Sequence, residues 1–307
     1  MHEVDIFRPP WRAARRRRRA ARSLKERFRI RMMRAMAYTT ASDGARIHYE
    51  VHGRGEPVLL IMGLGSNAYG WYRTIPWLSE RYEVIAFDNR GTGRSDVPEG
   101  AYSIAQMAAD AQAVLDATTH ATAHVVGVSL GGMIAQRFAL AYPDRVRSLV
   151  LICTTPGGPH ATPPSGEVTA ALIQGGEDPS TVYRRNAWFL YGEETRSRHP
   201  ERIEEDIVYR AKIPTQPTGY FGQIQAAMTH DTWAEIASIR VPSLVVHGDA
   251  DLLVPVQNGT HLAARIPGAE LRLIPGAGHM LQSDALDAVR SAVLGFLARV
   301  RQGPPRS

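Results

Sequence analysis

Two kinds of pattern alternate along most of the chain. Largely apolar runs at 57–62, 82–87, 123–126, 146–154 and 241–247 are separated by longer stretches whose apolar positions recur every three or four residues. Continuous apolar runs of this length predict strands covered on both faces, and the helical period between them predicts the covering layers. Arg46-Ile47-His48-Tyr49-Glu50-Val51 alternates instead, as a half-exposed strand does, and Glu270-Leu271-Arg272-Leu273-Ile274 reads as the last strand. Residues 103–119 read as an amphipathic helix capped by Ser103, and 283–300 as a closing one. Regular alternation of this kind implies an α/β fold with a mainly parallel sheet flanked by helices on both sides. Such sheets place their chemistry beyond the C-terminal ends of the strands.

The alternation breaks once. Pro156, Gly157, Gly158, Pro159, Pro163 and Pro164 punctuate the exit from one strand, and short helices follow at about 165–174, 178–190, 200–211 and 216–230. This pattern predicts a helical cap over 156–232, inserted into a core formed by 37–155 and 233–307. Its aromatic residues Trp188, Phe189, Tyr220 and Phe221, together with Met280 of the core, are expected to line an apolar pocket.

Charge divides the chain more sharply than hydropathy does. The net charge is +6, but residues 1–36 hold twelve Arg and Lys25 against Glu3, Asp5 and Glu26, a net of +10, so the remainder carries −4. The basicity therefore belongs to an N-terminal arm. A basic helix with Leu24, Phe28 and Met32 on one side would suit nucleic acid or an anionic membrane, through residues 8–34. The preferred reading is a solvated extension, or an over-long start upstream of Met32, Met33 or Met36. No apolar stretch follows the arginines, so no secretion signal is read, and the cytoplasm is the expected compartment. The lone Cys153 lies in an apolar run and reads as a core residue, and a single cysteine permits no intrachain disulfide. The Pro-rich tail is expected to fray.

Candidate chemistry gathers at the predicted strand ends. Gly127-Val128-Ser129-Leu130-Gly131-Gly132 joins an apolar strand to a helical pattern, with glycines two places either side of the serine. That arrangement suits a sharp, strained turn that presents a hydroxyl at a helix N-terminus, where amides and dipole favour an oxyanion. A serine hydroxyl needs an imidazole to take its proton, and the imidazole needs a carboxylate to fix its tautomer. His279, in a loop with Gly276 and Gly278, supplies the first, and Asp251 the second, in preference to its rival Asp249. His247, at a strand end, reads as structural. No pair of histidines has metal-ligand spacing and no cysteine cluster exists, so neither metal nor cofactor is expected.

With Met62-Gly63-Leu64-Gly65, Asp88-Asn89-Arg90-Gly91-Thr92-Gly93-Arg94-Ser95 and Gly248-Asp249-Ala250-Asp251 added, residues 45–300 resemble an α/β-hydrolase whose cap follows the sixth sheet strand. The resemblance implies an oxyanion hole made of the Leu64 and Leu130 N–H groups, and a bracing role for the 88–95 loop. Met62-Gly63 stands where many members have His-Gly, a form similar to that of some methylesterases. Serine rather than aspartate as nucleophile argues against dehalogenase and epoxide hydrolase chemistry. Leu130 replaces the tryptophan of proline iminopeptidases. The expected activity is hydrolysis of a small or medium apolar carboxylic ester through an acyl-enzyme. Carbon–carbon hydrolysis, enol-lactone opening and cofactor-free perhydrolysis are the alternatives on the same triad, and a non-catalytic binder recruited by its arm is a more distant one. The expected partner is a small-molecule ester, and the sequence leaves the oligomeric state open.

Overall fold

Eight strands make one sheet in the computed structural model, which describes residues 34–174 and 178–302. They are β1 (Arg34–Thr40), β2 (Arg46–Gly53), β3 (Glu56–Ile61), β4 (Tyr82–Phe87), β5 (Ala123–Val128), β6 (Val146–Ile152), β7 (Ser243–Gly248) and β8 (Glu270–Ile274). The spatial order is β1-β2-β4-β3-β5-β6-β7-β8. β2 pairs antiparallel with β1 and β4, and the remaining pairs are parallel. The mainly parallel sheet with a helical insertion between β6 and β7 is the architecture expected from the sequence. β1 was not, because regular patterning was read only from Ala45. It takes up Arg34 to Met36 of the segment read as the arm, while residues 1–33 and the tail after Gln302 lie outside the described residues.

Side-chain alternation along each strand explains the layering. In β3, Leu59 and Ile61 join Met107, Val114, Ile134 and Phe138 on one face, while Val58 and Leu60 join Trp71, Leu78, Val293 and Leu297 on the other. The first face is covered by α2 (Ile104–Ala117) and α3 (Leu130–Ala141), and the second by the short α1 (Ile75–Leu78). Burying one such aliphatic side chain stabilises the fold by roughly 1.5–3 kcal/mol, so both layers are integral to it. The Ser103 hydroxyl caps α2 by accepting the Gln106 N–H at 3.1 Å.

Among the described residues six α-helices cross the gap between β6 and β7: α4 (Gly166–Ile173), α5 (Pro179–Arg185), α6 (Ala187–Leu190), α7 (Glu193–Arg198), α8 (Pro200–Arg210) and α9 (Pro217–Met228). Ser165 and Asp178 cap α4 and α5 by accepting the Val168 and Thr181 N–H groups. Their apolar faces build a separate small cluster of Val168, Tyr183, Phe189, Leu190, Tyr191, Ile203 and Ile207. After β7 come α10 (Gln257–Arg265), α11 (Leu281–Asp284) and α12 (Leu286–Gln302), the last packed on the second face through Val289, Val293, Phe296 and Leu297. Among the described residues no helix is long and apolar enough to cross a membrane.

Candidate active site

Chain order reverses around β3, whose neighbours are β4 and β5, so the crevice beyond the C-terminal ends of β3 and β5 is where a sheet of this kind holds its chemistry. Ser129 stands there, between β5 and α3. Its backbone has φ +55° and ψ −121°, left-handed territory that a residue with a Cβ enters only when its surroundings insist. The surroundings do insist. The Ser129 N–H donates to Ile152 O at 2.9 Å, and its carbonyl accepts from Thr154 Oγ1 at 2.7 Å and from Gly132 N at 2.8 Å. A Cβ on Gly127 would collide with Gly131 O, so the strand and helix can close this tightly only through glycine.

Asp251 and His279 meet from two other strand ends. His279 Nδ1 lies 2.8 Å from Asp251 Oδ2, and both residues are buried. Asp251 Oδ1 accepts the Leu253 and Val254 N–H groups at 2.9 and 2.8 Å. Burial alone would push this carboxyl up, but the facing imidazoles of His279 and His247 outweigh it and hold the carboxyl well below its ordinary range. It therefore stays ionised behind His279. Asp249, the rival acid, accepts the Gly276 N–H at 2.7 Å and braces the turn before His279.

Among the described residues the Ser129 hydroxyl makes no hydrogen bond to His279. Hydrogen bonds of this kind are often long in an unliganded site and tighten on substrate binding. The N–H of Leu130, first in α3, has no intrahelical acceptor, and that of Leu64 has no acceptor among the described residues. Gly63 brings the Leu64 loop against Ser129: a Cβ there would lie 3.2 Å from the serine Cβ. The two donors implied by the resemblance are thus unspent on loops that meet at the serine.

The expected pocket residues scatter. Tyr220 packs its ring on Gly65, beside the Leu64 loop. Trp188 and Met280 are partly buried against the cap cluster, and Phe189 is sealed within it. Phe221 faces solvent, 56% exposed, and is not brought to the site. The inward face of α9 is set by Gly219, Gly222, Gln223 and Ala226, which turns Phe221 outward.

Around the site, His247 and Cys153 take the structural places expected of them, whereas Asp284 was not read from the sequence. His247 Nε2 donates to Val254 O at 2.8 Å and lies 3.5 Å from Asp251 Oδ2, tying the acid's loop to β7. Its one signal was being a polar residue inside an apolar strand. Asp284 Oδ2 accepts the Gly278 and Gly192 N–H groups at 2.7 and 2.9 Å, fixing the His279 loop against the cap, and nothing in its spacing marks it. Cys153, at φ +46°, is fully buried against Asp251, and burial pushes its thiol far up, so it is a neutral packing group. Cys153, His247 and Asp251 offer ligand atoms within 4.8 Å of one another, the one group among the described residues able to hold a metal. Asp251 and His247 already spend their facing atoms on His279, Val254 and the backbone, so the cluster as folded packs around the carboxylate.

Comparison with known proteins shows the family. The family model described as alpha/beta hydrolase fold matches residues 56–286. A relative from Azorhizobium caulinodans named "Putative carbamate hydrolase RutD" is 33% identical over 274 residues, which cover 87% of this chain and all of the relative. A hydrolase structure from Pseudomonas aeruginosa PA01 superposes with a TM-score of 0.75 at 30% identity, covering 86% of this chain and 98% of that one. A thermophilic esterase from Thermogutta terrifontis gives a TM-score of 0.75 at 27% identity, covering 87% and 99%.

Proposed function

The chain belongs to the alpha/beta hydrolase fold family and is a hydrolase, and from that premise we propose that it cleaves small carboxylic esters with Ser129 as nucleophile, His279 as base and Asp251 as its orienting acid. The observation that carries the reading is the 2.8 Å contact between the His279 ring and a buried, ionised Asp251, in a crevice that also holds the strained Ser129. Substrate enters with its carbonyl carbon over Ser129. As Oγ attacks, its proton passes to Nε2 of His279, the nitrogen left free by the Asp251 contact, and the imidazolium is stabilised by the carboxylate behind it. The developing oxyanion takes the Leu64 and Leu130 N–H groups. His279 then returns the proton to the departing alcohol, and water resolves the acyl-enzyme by the same steps. Neither a metal nor a cofactor is needed, and the cytoplasm is the proposed compartment.

A second reading replaces the ester by a carbamate and rests on the name of the A. caulinodans relative. Both substrates present a carbonyl with a heteroatom leaving group, so the same groups serve either. The separating experiment assays p-nitrophenyl acetate and butyrate beside a carbamate ester and free carbamate, using wild type and Ser129→Ala. Ester turnover that Ser129→Ala lowers by roughly 10⁴ or more is expected. Faster carbamate turnover would favour the second reading, and a serine-free enzyme of near-normal rate would end both.

A further inference from the structure

The exit of the Leu64 loop is held by the cap. Gly65, immediately after Leu64, has φ +62°, and both of its backbone polar groups are taken by cap side chains. Its N–H donates to Gln223 Oε1 at 2.9 Å, and its carbonyl accepts from Thr215 Oγ1 at 2.9 Å. The Tyr220 ring packs so closely on it that a Cβ would lie 2.7 Å from the ring. Entry to the loop, by contrast, is held from the core, where Asn89 Nδ2 donates to Met62 O at 2.8 Å. Leu64 is the residue between a core anchor and a cap anchor.

Gln223 is completely buried, and its amide is committed at both ends, since Nε2 donates to Arg90 O at 2.8 Å. A backbone N–H on one side and a carbonyl on the other leave only one orientation for the amide. The helix carrying it, α9, is seated by glycine contacts: Gly219 rests on Gly91, and Gly222 on the Tyr102 ring. One cap side chain thus bridges the Leu64 loop and the 88–95 loop. A glycine freed of such restraint samples both signs of φ, and the peptide planes beside it reorient. The plane that follows Gly65 carries the Ser66 N–H, which donates to Gly63 O at 3.3 Å and so holds the Gly63–Leu64 plane that aims the Leu64 N–H.

We propose that Gln223 is a positioning residue for the oxyanion hole, with Thr215 as its auxiliary, so that the Leu64 N–H is aimed at the reacting carbonyl only while α9 is docked. This rests on the serine hydrolase reading above. Losing an oxyanion donor outright costs about 10²–10³ in turnover, so a donor that is present but poorly aimed should cost less.

The test uses full-length wild type, Gln223→Met, Gln223→Glu and Thr215→Val. It reads kcat and KM on p-nitrophenyl butyrate, inhibition by an alkyl trifluoromethyl ketone whose adduct carries an oxyanion, and thermal melting. Gln223→Met keeps the volume and loses both hydrogen bonds. Its kcat should fall about 10- to 100-fold with KM within about threefold, and inhibitor affinity should fall in parallel. Gln223→Glu, as the neutral acid that burial favours, keeps an acceptor for the Gly65 N–H and a donor for Arg90 O, and should recover most of the loss. Thr215→Val should lose about two- to fivefold in kcat in the same pattern, and it decides the matter if Gln223→Met does not fold. A folded Gln223→Met with unchanged kcat, or with a shift in melting or KM alone, overturns the inference. So does a Thr215→Val of normal kcat where only that variant folds. Wild type inert towards both ester and inhibitor removes the serine hydrolase reading and this inference with it, whereas active wild type beside unaltered variants removes only the inference.

Discussion

The sheet side of the site and the cap side hold their residues by different means. Ser129, Asp251 and His279 each follow a strand; the Ser129 N–H continues the sheet's ladder to Ile152 O, and the Leu253 and Val254 N–H groups of its own loop hold the Asp251 carboxylate. On the cap side the ties are mostly side chain to side chain or to a lone peptide group. Asp206 of α8, almost fully buried, accepts from Tyr72 Oη at 2.5 Å, Ser283 Oγ at 2.6 Å and Tyr191 Oη at 2.7 Å, joining cap to core and to the His279 loop. A ladder tolerates substitution of the side chains hung on it, whereas a latch made of three hydroxyls and one carboxylate fails when the carboxylate changes. On the proposed reading, the chemistry sits on the laddered side and its alignment depends on the latched side.

The sharpest way to break this comparison is within the rigid side. Asp251→Asn keeps the shape but removes the charge behind His279, and kcat should fall by roughly 10³–10⁴ with little change in KM. Asp249→Asn, two residues away and bonded only to the turn before His279, should lose less than about tenfold. Equal losses would mean that the acid has been misassigned.

That pair of acids also shows how far the sequence could be read. Glycines and apolar runs exposed the sheet, because strands buried on both faces must be apolar and tight turns must be glycine-rich. The serine, the histidine and both aspartates were visible for the same reason: each sits where a strand ends. Asp249 and Asp251 were ranked by spacing alone, and only coordinates show which one faces the ring. Cap residues were less legible. Phe221 read as pocket and lies outside, while Gln223, two places on, went unnoticed, because a short helix's inner face depends on what it packs against. β1 was missed for want of a strong pattern.

A smaller effect is expected from the latch. Asp206→Asn leaves three hydroxyl donors facing an amide, and Arg73 with Glu205 as its remaining carboxylate partner. Stability should fall by about 2–3 kcal/mol, or about 5 °C in Tm, and kcat/KM by about tenfold, read by calorimetry and ester assay. A normal kcat/KM would separate cap docking from catalysis and weaken the comparison.

The last effect is one of pH, acts on stability alone, and touches both regions. Burial holds His124, on β5, and His230, at the end of the cap, neutral, depressing each from 6.5 to about 4. Protons then bind the unfolded chain more readily. The stability due to neutral burial is complete above about pH 6.5 and is lost as pH falls towards 4, up to about 3 kcal/mol for each residue. Tm should decline between pH 7 and 5, and His230→Gln should flatten part of that slope. A slope unchanged in both His230→Gln and His124→Asn would show that other groups set it.

The central claim is that Ser129 is made nucleophilic by His279 and Asp251, and covalent labelling tests it most directly. The full-length protein is treated with diethyl p-nitrophenyl phosphate and examined by intact mass and peptide mapping. One diethylphosphoryl adduct on Ser129 is predicted, absent from Ser129→Ala and formed at least about 100-fold more slowly in His279→Ala and Asp251→Asn. No adduct, an adduct on another residue, or full-rate labelling without His279 would contradict it.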